Sequence, residues 1–210
     1  MPDFSLEDEA LGQGHAVVCG IDEAGRGPWA GPVVAGAVIL DKGRLSGMLV
    51  AELDDSKKLK PGKREALFER LGNEAHIGVG LADVAEIDDL NILGATMLAM
   101  ARAVEALPVR PDLALVDGNR EPDLSCPARC VVRGDAISLS IAAASIAAKV
   151  ARDRIMAGLA GDFPGYGWER NAGYGTPEHQ AALERLGVTP QHRHSYAPIR
   201  RLLEPQDMGV

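Results

Sequence analysis

The segment CGIDEAGRGPWAGP, residues 19–32, places two acidic side chains between an apolar run and a glycine-rich turn. The preceding HAVVCGID (15–22) predicts a buried strand, and GPVVAGAVIL (31–40) predicts a second strand. The Gly/Arg/Pro stretch between them is then a loop. Because Asp22 and Glu23 stand where the first strand ends, this loop is a candidate binding site.

The bulk composition describes one domain with an aliphatic core. The chain has 210 residues and is 46% hydrophobic but only 4% aromatic, so Ala, Val, Leu and Ile must fill the core. No apolar stretch is long enough to span a bilayer, and the acidic N-terminus lacks a secretory pattern, so we expect a cytoplasmic protein. We expect residues 1–14 to be a flexible acidic tail and residues 15–210 to form a single domain that includes a helical C-terminal segment.

Hydrophobic periodicity predicts further strands and helices. We expect strands over 76–84, 111–118 and 128–135, and helices over 61–72, 88–107, 137–159 and within TPEHQAALERLG (176–187). The 88–107 helix would be capped by Asp88 or Asp89 and carry an apolar stripe of Leu90, Leu93, Met97, Met100, Val104 and Leu107. The alanine-rich helix over 137–159 would lie close against a sheet. The pattern predicts an α/β fold with a mixed central sheet flanked by helices.

Three acids share one kind of position. Asp22, Asp117 and Asp135 each stand at the end of a predicted strand, where sites in α/β sheets are built. For any single one of them, a turn residue or helix cap is the simpler explanation. Converging carboxylates would repel one another unless cations held them, and Mg²⁺ or Mn²⁺ prefers oxygen ligands. Glu23 can join them if the strand ends or twists there, as Gly25 allows.

Three features of the sequence have competing explanations: the glycine-rich loop, Asp153 and the cysteines. Residues 25–30 match the GxGxxA dinucleotide-binding pattern, but prolines and a Val/Ile run follow instead of the required helix. Asp153 stands four residues after Lys149 on a predicted helix, so an exposed ion pair between them is its simplest explanation. As a site acid it is the less favoured substitute for Asp135. The cysteines, Cys19, Cys126 and Cys130, are explained better by thiols than by a zinc site, because no histidine lies near them in sequence.

The basic residues are concentrated in two clusters. The net charge is −8, yet four of the six lysines fall in SKKLKPGK (56–63), and HRHSYAPIRR (192–201) forms a second cluster. A polyanion can bind locally to such clusters despite the acidic total. From charge alone, a solvated loop and helix start is the favoured explanation of the lysine run.

Seven motifs, in order along the chain, resemble those of the type 2 ribonucleases H, specifically bacterial ribonuclease HII. They are GIDEAGRGPWAGPVVAGAVIL (20–40), LDDSKKLKPGKREAL (53–67), LNILGATMLAM (90–100), LVDGN (115–119), GDAISLSIAAASIAAKVARDRIM (134–156), GYGTPEH (173–179) and HRHSYAPIR (192–200). The resemblance implies a ribonuclease H-like fold and a two-metal endonuclease. Its implied substrates are RNA–DNA hybrids, cleaved in the RNA strand, and duplex DNA containing single ribonucleotides, cleaved 5′ to the ribonucleotide. The implied products carry 3′-hydroxyl and 5′-phosphate ends.

The resemblance also implies roles for individual residues. The catalytic ligands of two Mn²⁺ or Mg²⁺ ions would be Asp22, Glu23, Asp117 and Asp135. The ribonucleotide 2′-hydroxyl would be contacted by Gly25, Arg26 and Gly27, and Tyr174 would pack on the adjacent sugar. Phosphate contacts would come from Ser56, Lys57, Lys58, Asn91, Ser145 and Lys149. The chemistry agrees, since two cations can activate a water and stabilise the leaving oxygen, and the 2′-hydroxyl distinguishes RNA from DNA.

The chain departs from the family pattern at a few positions. Arg133 stands where the family usually has Lys, and Asn171 and Ala172 stand where it usually has His and Lys. His194 and Tyr196 replace the usual Arg and Phe. We expect these changes to affect substrate affinity and not the chemistry.

The sequence also allows two alternative functions. A catalytically silent nucleic-acid-binding protein is disfavoured because all four acids are present. Another two-metal nuclease of the same fold, such as a junction resolvase, is disfavoured by the Gly-Arg-Gly loop together with Tyr174. We expect a monomer with no membrane partner. No role is assigned to His15, His76, His179 or His192.

Overall fold

A five-stranded mixed sheet forms the centre of the fold in the computed structural model, which describes residues 1–204. Its strands are β1 (Val18–Ala24), β2 (Val33–Ile39), β3 (His76–Ala82), β4 (Leu113–Asp117) and β5 (Ala128–Val131). They lie in the order β3-β2-β1-β4-β5. The β1–β2 and β2–β3 pairs are antiparallel, whereas β1–β4 and β4–β5 are parallel. The predicted mixed sheet is confirmed, although β5 ends four residues before the predicted boundary at 135.

Eight helices surround this sheet within the described residues. They are α1 (Ser5–Gly12), α2 (Gly47–Glu52), α3 (Pro61–Glu74), α4 (Val84–Glu105), α5 (Leu139–Asp162), α6 (Trp168–Asn171), α7 (Pro177–Leu186) and α8 (Ala197–Leu203). The short α8 agrees with the predicted helical C-terminal segment, while the last six residues of the predicted domain, 205–210, lie outside the described part. Across residues 1–204, none of the helices has the length and apolarity that a membrane crossing requires.

Glycines in the strands allow the two long helices to lie directly on the sheet. A Cβ atom at Gly20 of β1 would lie 2.1 Å from the carbonyl carbon of Ser140 in α5. On β3, a Cβ at Gly78 would lie 2.1 Å from the carbonyl oxygen of Ala103 in α4. Because any larger residue would collide with helix backbone, these contacts fix how closely each helix approaches. The predicted close packing of the alanine-rich helix is confirmed.

The N-terminal segment is a docked helix, so the expected flexible tail over residues 1–14 is wrong. Glu7 of α1 is buried, and its Oε1 accepts hydrogen bonds from the Ser138 hydroxyl (2.6 Å) and from the Ser140 amide (2.9 Å) and hydroxyl (2.6 Å). Ser138 and Ser140 stand at the N-terminus of α5, where the helix dipole favours a carboxylate. Ala10 packs beside this contact in a buried cluster with Ile141.

Helix α4 begins earlier than its sequence pattern indicates. Its N-cap is Asp83, which forms a capping box with Glu86, so the predicted cap at Asp88 or Asp89 is wrong. Asp88 instead accepts hydrogen bonds from the backbone amides of His194 and Ser195, both 2.9 Å long. This contact joins α4 to the C-terminal basic cluster.

A break at Asn91 divides α4. Asn91 has φ 59° and ψ 168°, and its Oδ1 accepts from the amides of Leu93 (2.9 Å) and Gly94 (3.3 Å) as a cap would. The break rotates the start of the predicted apolar stripe away from the core. Leu90 and Leu93 are therefore exposed, contrary to prediction, whereas Met100, Val104 and Leu107 are buried as predicted.

Candidate active site

One cleft gathers most of the predicted site residues. It is lined by Asp22, Glu23, Gly25, Arg26, Gly27, Ser56, Lys57, Asp117, Ser145, Lys149 and Tyr174, together with Arg152. The two aspartates come together because β1 and β4 are parallel neighbours in which Ile21 pairs with Val116. The next residue of each strand is an aspartate, so Asp22 and Asp117 lie side by side, although β1 continues past Asp22 to Ala24.

Asp135 reaches the edge of this cleft from a turn and not from a strand. The chain leaves β5 at Val131, passes through Arg133 at φ 60° and forms a 3₁₀ turn over Gly134–Ala136. Asp117 Oδ1 accepts a 2.6 Å hydrogen bond from the Gly134 amide, which ties this turn to β4. Lys57 Nζ lies 3.6 Å from Asp135 Oδ2 and links Asp135 to the cleft wall.

The acids create a concentrated negative charge. Asp22 is only 4% exposed, and burial, reinforced by Glu23 and Asp117, raises the pKa of Asp22 well above its ordinary value. Burial also raises the pKa of Asp117, with smaller contributions from Asp135 and Glu23. Carboxyl groups whose pKa values are raised in this way gain stability from a nearby cation.

Two cationic side chains already respond to this charge. Burial disfavours the ammonium of Lys57, yet the carboxylates of Asp22 and Asp135 more than offset burial and raise the pKa of Lys57. Arg26 Nη1 lies 3.1 Å from Glu23 Oε1. Both cations extend from exposed loops, so a more highly charged ion can displace them at little cost.

The donor set fits divalent cations by its chemistry. Four carboxylates supply only oxygen ligands, which Mg²⁺ and Mn²⁺ prefer. Their side chains are turned toward other partners: Asp22 Oδ1 accepts from the Glu23 amide (2.7 Å), and Asp117 Oδ1 accepts from Gly134. Accordingly, within residues 1–204 no three His, Cys, Asp or Glu side chains are gathered tightly enough to form a ready-made metal cluster. Side-chain rotation is needed to bring the oxygens together.

The predicted phosphate contacts differ in their placement. Ser56 and Ser145 are buried in the cleft floor, where the Ser145 hydroxyl donates to the Ser56 hydroxyl at 2.6 Å. Lys149 lines the cleft and pairs with Asp153 at 2.6 Å, which confirms the ion-pair explanation of Asp153. Lys58 and Asn91 do not line the cleft: Lys58 pairs with Asp54 at 2.8 Å, and Asn91 caps part of α4.

Two buried arginines support the glycine loop, and sequence reasoning missed both. Arg193 donates to the carbonyl oxygens of Gly25 (2.6 Å), Arg26 (3.0 Å), Gly31 (2.9 Å) and Pro32 (3.2 Å). Arg152 donates to the carbonyls of Ala30 (3.1 Å), Pro32 (3.0 Å) and Ala172 (2.9 Å). Both guanidinium groups thus hold the backbone of the glycine loop and of the residues that follow it. The only sequence signals were their positions in two of the family motifs, Arg152 in residues 134–156 and Arg193 in residues 192–200.

The glycines of this loop are required by their surroundings. Gly25 has φ +97°, and a Cβ there would lie 1.9 Å from Arg152 Nε. A Cβ at Gly27 would lie 3.3 Å from Cε1 of Tyr174, whose side chain stands 48% exposed at the opposite wall. Gly27 therefore lies against the edge of the tyrosine ring, and the loop and the ring enclose a narrow corner at one end of the acidic cleft, called the slot here.

A pair of buried histidines lies behind Tyr174. His179 and His192 face each other with their Nε2 atoms 3.0 Å apart, and both are fully buried. Burial lowers the pKa of His179, and burial together with the neighbouring His179 lowers the pKa of His192 to about 4. Sequence reasoning assigned them no role, because two residues 13 positions apart give no pairing signal.

We expect this histidine pair to make the protein acid-sensitive. Both side chains stay neutral in the folded state, whereas in the unfolded chain they bind protons near their ordinary pKa of about 6.5. Their contribution to stability is therefore complete above about pH 6.5 and is lost as the pH falls toward about 4. Urea unfolding at pH 7 and pH 5 measures the loss. His192→Gln should reduce the difference in the free energy of unfolding between pH 7 and pH 5, whereas His194→Asn, at an exposed position, should leave that difference unchanged. An equal pH dependence of stability in both variants would contradict the assignment.

A model of the ribonuclease HII family matches residues 19–199. The chain belongs to the ribonuclease HII family. Ribonuclease HII of Rhodospirillum rubrum is 60% identical over 205 residues, which is 97% of this chain and 92% of that protein. Ribonuclease HII of Paramagnetospirillum magneticum is 60% identical over 97% of this chain and 99% of its own length.

A solved structure confirms that this chain has the fold of the ribonucleases H. The crystal structure of ribonuclease H2 from Pyrococcus horikoshii superposes with a TM-score of 0.74 and 29% identity, covering 89% of this chain and 97% of that one. The ribonuclease H-like fold and the predicted family are therefore correct. Family membership makes the chain a ribonuclease H, an endonuclease that hydrolyses phosphodiester bonds.

Proposed function

We propose that the acidic cleft cleaves the RNA strand of RNA–DNA hybrids and also cleaves 5′ to single ribonucleotides in duplex DNA. The metal ligands would be Asp22, Glu23, Asp117 and Asp135, holding two Mn²⁺ or Mg²⁺ ions. Ribonucleases H act on RNA–DNA hybrids and depend on divalent metals. The observation that carries the proposal is the adjacency of buried Asp22 and half-buried Asp117, whose raised pKa values mark a site that favours added cations.

The protein side chains supply position and charge. When bound, divalent cations acidify a water and stabilise the departing 3′-oxygen. Paired strands hold the backbones of Asp22 and Asp117 side by side, so both side chains can turn toward the same cation. Lys57 and Lys149 line the same cleft and attract the phosphates, which makes binding sensitive to salt. The four acids would bind the cations and need not accept a proton. The expected products carry 3′-hydroxyl and 5′-phosphate ends.

The slot between the glycine loop and Tyr174 would recognise the ribonucleotide. Gly25 and Gly27 bring backbone groups to the slot without side chains in the way. The 2′-hydroxyl both donates and accepts hydrogen bonds, so backbone groups can distinguish it from a deoxyribose hydrogen. The exposed Tyr174 ring packs on the adjacent sugar and holds it against the loop.

The direct test is cleavage of a labelled DNA duplex that carries one ribonucleotide, with Mg²⁺ or Mn²⁺ and an all-DNA duplex for comparison. We expect one cut, 5′ to the ribonucleotide, and none in the all-DNA duplex. Asp117→Asn should lower the rate at least about a thousandfold, because it removes a charge that the cations require. Asp153→Asn is the matched control, since Asp153 is engaged in ion pairs with Lys149 and Arg64, and should stay within about threefold.

Other outcomes separate the parts of this proposal. Cleavage of both duplexes would keep the metal site but overturn the role of the glycine loop and Tyr174. A folded protein that cuts neither duplex with either metal would overturn the proposed substrate. A long RNA–DNA hybrid tested beside the single-ribonucleotide duplex shows whether both proposed substrates are cleaved.

A further inference from the structure

The buried histidine pair, His179 and His192, is connected directly to the backbone of Tyr174. His179 Nδ1 lies 3.0 Å from the Tyr174 carbonyl oxygen, and its Nε2 lies 3.0 Å from His192 Nε2. The Trp168 indole Nε1 is 3.2 Å from His179 Nε2, and the Thr189 amide is 2.9 Å from His192 Nδ1. Every ring nitrogen of the pair therefore has a partner.

The partners determine where each proton lies. A backbone amide can only donate, so His192 Nδ1 accepts from Thr189 and its proton must be on Nε2. An indole N–H can only donate, so His179 Nε2 accepts from Trp168 and also from His192 Nε2. The remaining proton of His179 is on Nδ1, where it donates to the Tyr174 carbonyl. The chain of hydrogen bonds has one direction, from Thr189 to Tyr174.

The same segment is joined to the glycine loop on its other side. The Trp29 amide donates to the Gly173 carbonyl at 2.8 Å, and the Gly31 amide donates to the Gln191 carbonyl at 2.8 Å. Ala30 and His192 form an antiparallel bridge. The residue before Tyr174 and the residue before His192 are thus both fastened to residues 29–31, which lead from the glycine loop to β2.

We propose that His179 and His192 are positioning residues that hold the Tyr174 backbone at a fixed distance from the glycine loop and so set the affinity for the ribonucleotide. This inference rests on the proposed sugar contact of Tyr174. The pair touches no substrate itself. The Tyr174 side chain is half exposed, so the backbone decides where its ring stands. The Tyr174 carbonyl accepts from His179 and from the Thr176 amide at 2.8 Å.

Three substitutions separate positioning from general stability. His179→Leu removes the donor to Tyr174 and should lower kcat/KM on the single-ribonucleotide duplex about tenfold, mainly through a higher KM. His179→Asn keeps an N–H near the Nδ1 position and should restore kcat/KM to within about threefold of the wild type. Tyr166→Phe is the matched control, because it loses a 2.8 Å hydrogen bond to the Gly187 carbonyl in the same aromatic cluster without touching the chain to Tyr174. It should lower the urea midpoint and leave kcat/KM unchanged.

A double-mutant cycle tests whether His179 acts through Tyr174. In the Tyr174→Ala background, His179→Leu should change kcat/KM by less than about twofold, since there is no ring left to position. Independent, multiplying effects would overturn the inference. If His179→Leu fails to fold, Trp168→Phe takes its place, because it removes the donor to His179 Nε2 while keeping an aromatic ring in the cluster, and it should raise KM about threefold.

Two outcomes distinguish the positioning role of the histidines from the sugar contact of Tyr174. If Tyr174→Ala lowers kcat/KM and the His179 and Trp168 variants do not, the positioning role is overturned and the sugar contact stands. If Tyr174→Ala has no effect, the sugar contact itself is overturned and the positioning role falls with it.

Discussion

Replacing Asp22 by Asn is expected to abolish cleavage and, at the same time, to raise the melting temperature of the metal-free protein at neutral pH. Asp22 is buried beside Glu23 and Asp117, and its pKa is raised by burial first and by those two carboxylates next. Asn has the same shape and keeps an oxygen that accepts from the Glu23 amide, so packing is preserved. Only the charge is lost.

The sign of the stability effect follows from the raised pKa. Below the unfolded pKa of about 3.8, Asp22 is protonated in both states and contributes nothing. As the pH rises above that value, the unfolded chain releases its proton first, and stability falls until the folded-state pKa is passed. The penalty therefore grows as the pH rises from about 3.8 toward neutral, and Asp22→Asn removes it. In a chain of 210 residues each kcal/mol recovered raises the melting temperature by about 2–4 °C.

Thermal melts in EDTA and in Mn²⁺, at pH 5 and pH 8, measure this effect beside the cleavage assay. We expect Asp22→Asn to melt higher than the wild type in EDTA at pH 8, with a smaller difference at pH 5. Mn²⁺ should raise the melting temperature of the wild type by binding the folded state, and raise that of the variant less. Activity should fall at least about a thousandfold. A variant that melts lower than the wild type in EDTA would contradict the charge assignment.

Replacing Arg193 by Met is expected to cause the largest loss of stability among single changes at the site. Arg193 is fully buried and donates to carbonyls at both ends of the glycine loop, and burial lowers its pKa. Met fills much of the same volume but donates nothing, so the carbonyls of Gly25, Arg26 and Gly31 lose a partner. Unsatisfied buried groups cost about 1–3 kcal/mol each. Partial relief comes from removing the repulsion with Arg152, so we expect a net loss of about 3 kcal/mol.

Urea unfolding at pH 7 measures this loss. A loss of about 3 kcal/mol corresponds to about 6–12 °C in melting temperature for a chain of this size. Arg200→Met is the matched control, because Arg200 is exposed on α8 and should change stability by less than about 0.5 kcal/mol. Similar free energies of unfolding for both variants would show that the loop does not depend on Arg193.

Local patterns in the sequence predict much of the fold and the acids of the site. Strands β1 and β2 and helix α5 follow from hydrophobic runs and alanine content, and Asp22 and Asp117 follow from their place at strand ends. The break at Asn91 was not predictable in this way, because the apolar spacing continues across it. The docking of α1 was also missed, since Glu7 finds its partners more than 130 residues away.

The support of the site depends on contacts that no local pattern contains. Arg193 binds the carbonyl of Gly25, which is 168 residues earlier in the chain, and an arginine is ordinarily predicted to be exposed. The histidine pair likewise forms only when α7 and the following turn meet. The family motifs contained these residues without indicating what they do. The single-domain organisation, the monomeric state and the cytoplasmic location stay predictions.

The buried guanidinium of Arg193 also decides which way the peptide groups of the glycine loop point. It draws the carbonyl ends of the Gly25–Arg26 and Arg26–Gly27 peptides inward. In a trans peptide the N–H points opposite to the C=O, so the amides of Arg26 and Gly27 are directed to the other side. Successive N–H groups facing one way make a local positive potential that favours anions and electronegative oxygens. A cleft dominated by carboxylates thereby keeps one wall that attracts the oxygen atoms of a nucleic-acid strand.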